Sequence, residues 1–260
     1  MKRTEVPLLL EDFPADFHDI LQGARLFDSS CSAAAKVWMV QNNETFFLKA
    51  GAASSLEKEA AMTAFFHKKG FGPEVLGFVQ QEKDWLLTRA VPGEDCTDPI
   101  IRQNPKKLSS TIGEDLRQLH DTDPSGCPVD RTADYVAATE KNYRLGNYDK
   151  SLFPDNWGYA SAADAWNVVC EAAPALRNDV LLHGDYCLPN IILKDGKLSG
   201  FIDLGSGGLG DRHIDLYWGI WSLQFNLKTD QWKDRFLDAY GRDKLEPAPL
   251  RSIGAFEVFL

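Results

Sequence analysis

Three oxygen-bearing side chains stand close enough in the sequence to share one chemistry. They are Asp185 in His183-Gly184-Asp185, Asn190 five residues later, and Asp203 in Asp203-Leu204-Gly205. Phosphoryl transfer asks for little covalent chemistry and much positioning. One carboxylate receives or orients the proton of a hydroxyl nucleophile, while a carboxylate and an amide oxygen hold Mg²⁺ against the phosphates. In that scheme Asp185 is the catalytic base, and Asn190 and Asp203 are the metal ligands. Turn chemistry would account for an Asp-Gly or a Pro-Asn step taken singly; the joint spacing is what points to phosphate.

These residues need elements to hold them. Residues 180–182, 191–193 and 198–202 are short apolar runs bounded by turn residues and read as strands. Asp195-Gly196 closes a hairpin between the last two, so both ends of the hairpin deliver oxygen ligands to one place. The arrangement is similar to a protein-kinase catalytic loop followed by its DFG-type aspartate. Acidic residues favour a helix N-terminus. Asp211 and Asp215, on either side of Arg212, are therefore read as capping and loop-bracing groups, and His183 as a brace of the loop backbone. His120 and His213 read as structural or solvated.

Upstream, residues 35–49 alternate as two strands joined at Asn42-Asn43. The two-residue period puts Thr45, Phe47 and Lys49 on one face, and Phe46 and Leu48 on the other. A helix follows, with Ser54-x-x-Glu57 as a capping box and Gly70 as its stop. At 100° per residue Glu59 falls between Leu56 and Phe66 on the apolar side, whereas Glu57 falls beside Lys68. Glu59 is therefore the better partner for Lys49. Residues 75–79 and 85–88 add two strands before Pro92-Gly93 breaks the pattern. Leu108, Ile112, Leu116 and Leu119 then mark one helix face, and residues 135–144, 163–173, 214–225 and 231–240 also read as helical. The expected fold class is α+β, with a strand-rich lobe at residues 1–91 and a helical lobe at 92–260.

The composition, 44% hydrophobic and 25% charged over 260 residues, is that of an ordinary globular protein with a full core. A formal charge of −10 argues against nucleic acid or an anionic membrane as partner and suits a cationic substrate. The five cysteines are odd in number and lack a CxxC pair, so a reducing cytosol is expected rather than a disulfide or zinc framework. No apolar run is long enough to span a membrane.

The segment HGDYCLPNIILKDGKLSGFIDLG, followed by GDRHIDL, resembles the aminoglycoside 3′-phosphotransferases (kanamycin kinases). Cys187-Leu188-Pro189-Asn190 and Ser199-Gly200-Phe201-Ile202-Asp203 separate that family from choline, homoserine and fructosamine kinases, which share the looser pattern. The resemblance implies a protein-kinase-like two-lobe fold, ATP or GTP with Mg²⁺, and phosphorylation of an aminoglycoside 3′-hydroxyl. It further implies that Lys49 binds phosphate with Glu59 as its partner, that Phe47 stacks on the nucleobase, and that Arg89 to Val91 form the hinge at the adenine edge. Residues 29–34 are then phosphate cover rather than a plain surface loop. Asp155, Glu257 and the terminal carboxylate of Leu260 match acceptor-binding positions.

The chain also departs from the family. Ser206 replaces the usual arginine three residues after the metal aspartate, and Gly158 replaces an acid after Asn156-Trp157. Phe256-Glu257 stands for an acidic pair, and Leu260 follows the usual terminal position, Phe259. A poorer acidic wall leaves open a kinase for another hydroxylated amine. A catalytically idle kinase-like binding module is the alternative of a different class, against which the retained Asp185, Asn190 and Asp203 speak.

Overall fold

The structure, a computed structural model, describes residues 3–31, 35–148 and 158–260. The chain forms two compact units, Met1–Gly93 with Ser199–Gly205, and Glu94–Leu198 with Ser206–Leu260.

The first unit is built on an antiparallel sheet in the order β1-β2-β3-β4-β6-β5. Its strands are β1 (Thr4–Val6), β2 (Arg25–Asp28), β3 (Lys36–Gln41), β4 (Thr45–Ala52), β5 (Val75–Gln80) and β6 (Lys83–Arg89). The β3–β4 turn falls at Asn42 as expected, with Gln41 opposite Thr45 and the Asn42 side chain accepting from the Glu44 N–H at 3.0 Å. Along β4, Phe46, Leu48 and Ala50 are buried in a core with Phe13, Phe17, Leu21, Leu26 and Trp85. Lys49 is left on the opposite face. Ahead of β2 the chain forms a 3₁₀ turn at Ala15–Phe17 and a short helix α1 (His18–Leu21). β1 and β2 escape a sequence reading because they are three and four residues long, too short for a period to register.

Helix α2 (Glu57–Lys68) does not begin with the expected capping box. Ser54 is left-handed, with φ 63°, and the Ser55 hydroxyl turns back to the Ala52 carbonyl at 2.7 Å. The N-terminal donor at Leu56 is satisfied instead by the Asp84 carboxylate of β6, at 2.9 Å. A partner 28 residues away has displaced the local cap. Gly70, with φ 82°, ends the helix as expected.

The second unit contains β7 (Glu94–Asp95), α3 (Pro99–Arg102), α4 (Pro105–His120), α5 (Arg131–Leu145), α6 (Ala162–Ala172), β8 (Val180–Leu182) and β9 (Ile191–Lys194). It continues with the start of β10 (Lys197–Phe201), then β11 (Gly208–Gly210), α7 (His213–Leu227), α8 (Lys233–Tyr240) and α9 (Pro247–Glu257). Asn104 caps α4 by accepting from the Lys107 N–H, and Asp130 caps α5 by accepting from the Ala133 N–H. The expected stripe Leu108, Ile112, Leu116 and Leu119 is buried throughout. Helix α9 adds to the expected helices, and it contains Pro247 and Pro249. Both lie in its first turn, where proline's missing N–H costs nothing. Ile253, Ala255 and Phe256 of α9 join Tyr135, Val169 and Ile214 in the core of this unit.

Asp195 and Gly196 have φ of 54° and 75°, as a two-residue hairpin turn requires. The chain then leaves the second unit within β10. Phe201 donates its N–H to the Phe71 carbonyl at 2.6 Å and stacks on the Phe71 ring, with centroids 6.0 Å apart. The expected division after residue 91 thus falls two residues before the observed one, and the segment bearing Asp203 groups with the first unit.

Candidate active site

In the first unit, β4 supplies Lys49, α2 supplies Glu59, and the turn after β10 supplies Asp203. The Lys49 ammonium lies 2.8 Å from both oxygens of Glu59 and 2.9 Å from Asp203 Oδ1. Glu57, one helix face away, is exposed. Burial by itself would push the Lys49 ammonium down, but the charges of Asp203 and Glu59 outweigh it and hold its pKa above the ordinary value. For Glu59 burial is the larger influence and drives its pKa up, with Lys49 pulling against it and the like charge of Asp203 adding to it. One cation is shared by two carboxylates. Asp203 is the more accessible of the two, its side chain 54% exposed against 11% for Glu59. Its φ of 59° is unusual for a residue with a side chain. Gly205 keeps this corner open, since a Cβ there would press to 3.3 Å from Glu59 Oε2.

Phe47 faces the same side of β4 as Lys49, and the Arg3 guanidinium lies over its ring at 5.8 Å from the centroid. The Arg89 side chain is engaged by Glu74 and Glu44. The N–H groups of Arg89 and Ala90 are given to the carbonyls of Glu74 and Thr45, so Val91 is the first residue beyond the sheet. Residues 32–34 of the expected phosphate-covering loop lie outside the described residues.

In the second unit the loop after β8 is held by backbone rather than by charge pairs. The Asp215 carboxylate, fully buried at the start of α7, accepts from the His183 N–H at 2.8 Å and the Gly184 N–H at 2.7 Å. His120 Nε2 lies 3.1 Å from the same carboxylate, which can only accept, so Nε2 carries the proton and Nδ1 accepts from the Tyr240 hydroxyl at 2.9 Å. Gly184 has φ 83°, and a Cβ there would collide with the Ser206 carbonyl; only glycine fits. His183 Nδ1 accepts from the Asp185 N–H at 3.2 Å. This bond braces the loop. Asp211 accepts from the His213 ring and from the N–H groups of His213 and Arg177.

Asn190 gives its amide N–H groups to the Asp185 carbonyl at 3.0 Å and to Asp185 Oδ2 at 2.9 Å. Orienting the Asp185 carboxylate in this way turns the amide oxygen of Asn190 away from it, as a hard donor. The Asn190 amide oxygen has the oxygen chemistry that Mg²⁺ prefers, and so, in its own unit, does the Asp203 carboxylate. Among the described residues no cluster of three or more His, Cys, Asp and Glu is gathered around a metal. Burial pushes the neighbouring Cys187 thiol far up, which leaves it inert.

Of the expected acceptor residues, Asp155 lies outside the described residues. Glu257 is enclosed rather than left at the surface. It is 9% exposed, accepts from the Tyr135 hydroxyl at 2.7 Å and the Trp218 indole N–H at 3.2 Å, and burial raises its pKa to about 7. Leu260 is 49% exposed, with its N–H given to the Glu257 carbonyl. Sequence reasoning missed Tyr135 and Trp218 as its partners, and also Arg131, whose guanidinium lies over the Tyr135 ring at 5.4 Å. Nothing in a helical period distinguishes these residues from ordinary core.

The chain matches the phosphotransferase enzyme family over residues 26–251. It is 41% identical, over 98% of both chains, to a probable aminoglycoside 3′-phosphotransferase of Lactococcus lactis. Among solved structures it is similar to a type VIII aminoglycoside 3′-phosphotransferase, with a TM-score of 0.76 at 23% identity over 95% of this chain and all of that one. It is also similar to a Streptomyces rimosus aminoglycoside phosphotransferase solved with ADP and streptomycin, with a TM-score of 0.68 at 22% identity over 88% and 91% of the two chains. The strand-rich first unit and helical second unit are thus the kinase-like α+β fold, and the chain belongs to the aminoglycoside 3′-phosphotransferase family.

Proposed function

We propose that this enzyme transfers the γ-phosphoryl group of ATP or GTP to the 3′-hydroxyl of kanamycin-like aminoglycosides in the cytoplasm, conferring resistance. The observation that carries this reading is the full-length relationship to a protein named for that reaction. The orientation of Asp185 by Asn190 and the buried brace of Asp215 give it a physical basis. In the reaction a bond forms between the 3′-oxygen and the γ-phosphorus while the bond from that phosphorus to the β,γ-bridging oxygen breaks. Asp185 takes the hydroxyl proton, and a nucleoside diphosphate leaves. Lys49, fixed by Glu59, binds nucleotide phosphates. Phe47, Arg89 and Val91 accommodate the base. Asn190 and Asp203 would hold Mg²⁺, which supplies charge neutralisation on the phosphates. Asp155, Glu257 and the Leu260 end meet the ammonium groups of the acceptor, whose charge suits a chain of −10.

A coupled assay of ADP release with kanamycin, tobramycin, choline and homoserine tests the reading. Kanamycin should turn over. Tobramycin, which lacks the 3′-hydroxyl but keeps its ammonium groups, should inhibit competitively without being phosphorylated. Turnover of choline or homoserine but not kanamycin would transfer the reading to another hydroxylated amine. Phosphate placed on tobramycin would move the reaction to a different hydroxyl.

A further inference from the structure

Helix α7 carries polar residues on a face turned inward. Ser222 and Asn226 follow Asp215 by seven and eleven residues, which at 100° per residue puts all three within about 20° of one stripe. Asp215 is the brace of His183 and Gly184. Ser222 is 1% exposed, and a buried hydroxyl inside a helix ordinarily turns back to its own backbone. This one reaches out of the helix. Its Oγ accepts from the Leu188 N–H at 2.9 Å, in the 3₁₀ turn Leu188–Asn190. The Leu188 carbonyl in turn accepts from the Cys96 N–H at 3.1 Å. Leu188 is thus gripped on both sides.

Asn226, one turn further along α7, donates its amide to the Ser222 carbonyl at 2.9 Å and to Ser222 Oγ at 3.2 Å. With two bonds accepted, the hydroxyl has used both lone pairs and keeps one proton to give. That proton goes to the Cys187 sulfur. Burial drives the Cys187 thiol up and the Asp185 carboxylate, which accepts the thiol proton, adds to the rise, whereas the hydrogen bond from Ser222 pulls the other way. Helix α7 therefore holds the loop at two points, one before Asp185 and one after it. We propose that Ser222 is a positioning residue for phosphoryl transfer, fixing the turn that carries Asn190 and with it the amide that aims Asp185. Ser222 is too deeply buried to meet acceptor or nucleotide, so it acts only through the loop. The inference rests on Asp185 being the base of the proposed reaction.

The test compares Ser222→Ala and Ser222→Thr in the full-length enzyme with Ser109→Ala, a buried serine whose hydroxyl donates to the Pro105 carbonyl of its own helix at 2.7 Å. Kinetics for kanamycin and ATP, a melting temperature and hydrogen exchange at the Leu188 amide are measured for each. Ser222→Ala should lose about 10- to 100-fold in kcat, the scale of a small misplacement, with both KM values within about twofold of wild type. Its Leu188 amide should exchange at least about tenfold faster. Ser222→Thr keeps the hydroxyl and should recover kcat. Ser109→Ala should lose a comparable amount in melting temperature and nothing in kcat. Wild-type kcat in Ser222→Ala beside a faster Leu188 amide would reduce the hydroxyl to a structural role and overturn the inference. An unchanged Leu188 amide, or an equal loss of kcat in Ser109→Ala, would overturn it too. If Ser222→Ala does not fold, Asn226→Ala carries the test, since it unlocks the hydroxyl without removing it. Slower turnover and faster Leu188 exchange are then expected, and wild-type values of both would overturn the inference. Failure of the wild type to act on any aminoglycoside is the separate failure of the proposed function, and the hold on Leu188 then stands or falls on exchange alone.

Discussion

The two units hold their chemical groups by opposite means. In the first, Lys49, Glu59 and Asp203 position one another through charge, with Asp203 half exposed and one cation serving two carboxylates. In the second, Asp185 is aimed by an amide, and its loop hangs from a buried carboxylate by two backbone N–H bonds. Charge pairs near water are individually weak and tolerate rearrangement. Buried backbone donors deprived of an acceptor cost their full desolvation. The charged groups of the first unit are thus free to adjust, while the loop of the second is held fixed.

The largest expected effect is chemical. Asp185→Ala should lose ~10²–10⁴-fold in kcat, the usual share of a positioned base, with nucleotide binding retained by calorimetric titration. Asp203→Ala should lose Mg²⁺-dependent nucleotide binding as well. Near-normal turnover by Asp185→Ala would remove the base assignment.

The contrast itself is tested next. Asp215→Ala strands the N–H groups of His183 and Gly184 and the His120 ring, at about 1–3 kcal/mol for each buried donor, so its melting temperature should fall sharply and kcat with it. Glu59→Gln should leave the fold within about 1–2 kcal/mol of wild type and act mainly by raising the ATP KM, while Glu57→Gln should do neither. A Glu59→Gln enzyme less stable than Asp215→Ala would break the comparison.

Salt sharpens it. Raising ionic strength screens exposed charge far more than buried dipoles. The ATP KM of Glu59→Gln, left with the half-exposed Lys49–Asp203 pair, should therefore rise more steeply with KCl than that of wild type. The kcat of wild type at saturating nucleotide should barely move. Equal salt slopes would remove the distinction.

The smallest effect concerns pH. Burial lifts Glu257 from 4.5 to about 7, so the folded chain keeps a proton that the unfolded chain has lost across that window. Stability from this group therefore falls as pH rises from 4.5 to about 7. Asp115, raised by burial from 3.8 to about 7, acts in the same direction. An acceptor's ammonium needs Glu257 ionised, so the kanamycin KM should fall severalfold between roughly pH 6 and 8. Glu257→Gln should flatten that slope and reduce the fall of melting temperature with pH. A KM slope that survives in Glu257→Gln would assign the titration elsewhere.

Much of this protein was legible in its sequence, and for a physical reason. The strand phase that separates Lys49 from Leu48 and the helical phase that chose Glu59 over Glu57 are local periodicities. A period registers once an element is long enough to repeat it, as β4 and α2 are. Gly70 and the Asp195-Gly196 turn were legible because φ above zero is written in residue type. What the sequence could not settle was decided by partners distant along the chain. Asp84 rather than Ser54 satisfies the start of α2, and Phe71 draws the Asp203 segment into the first unit. Nothing near Glu257 in the sequence announces that Tyr135, 122 residues away, and Trp218, 39 away, enclose it. A carboxylate's protonation and a helix's first donor depend on what excludes or replaces water around them, and that is fixed only when the chain closes on itself.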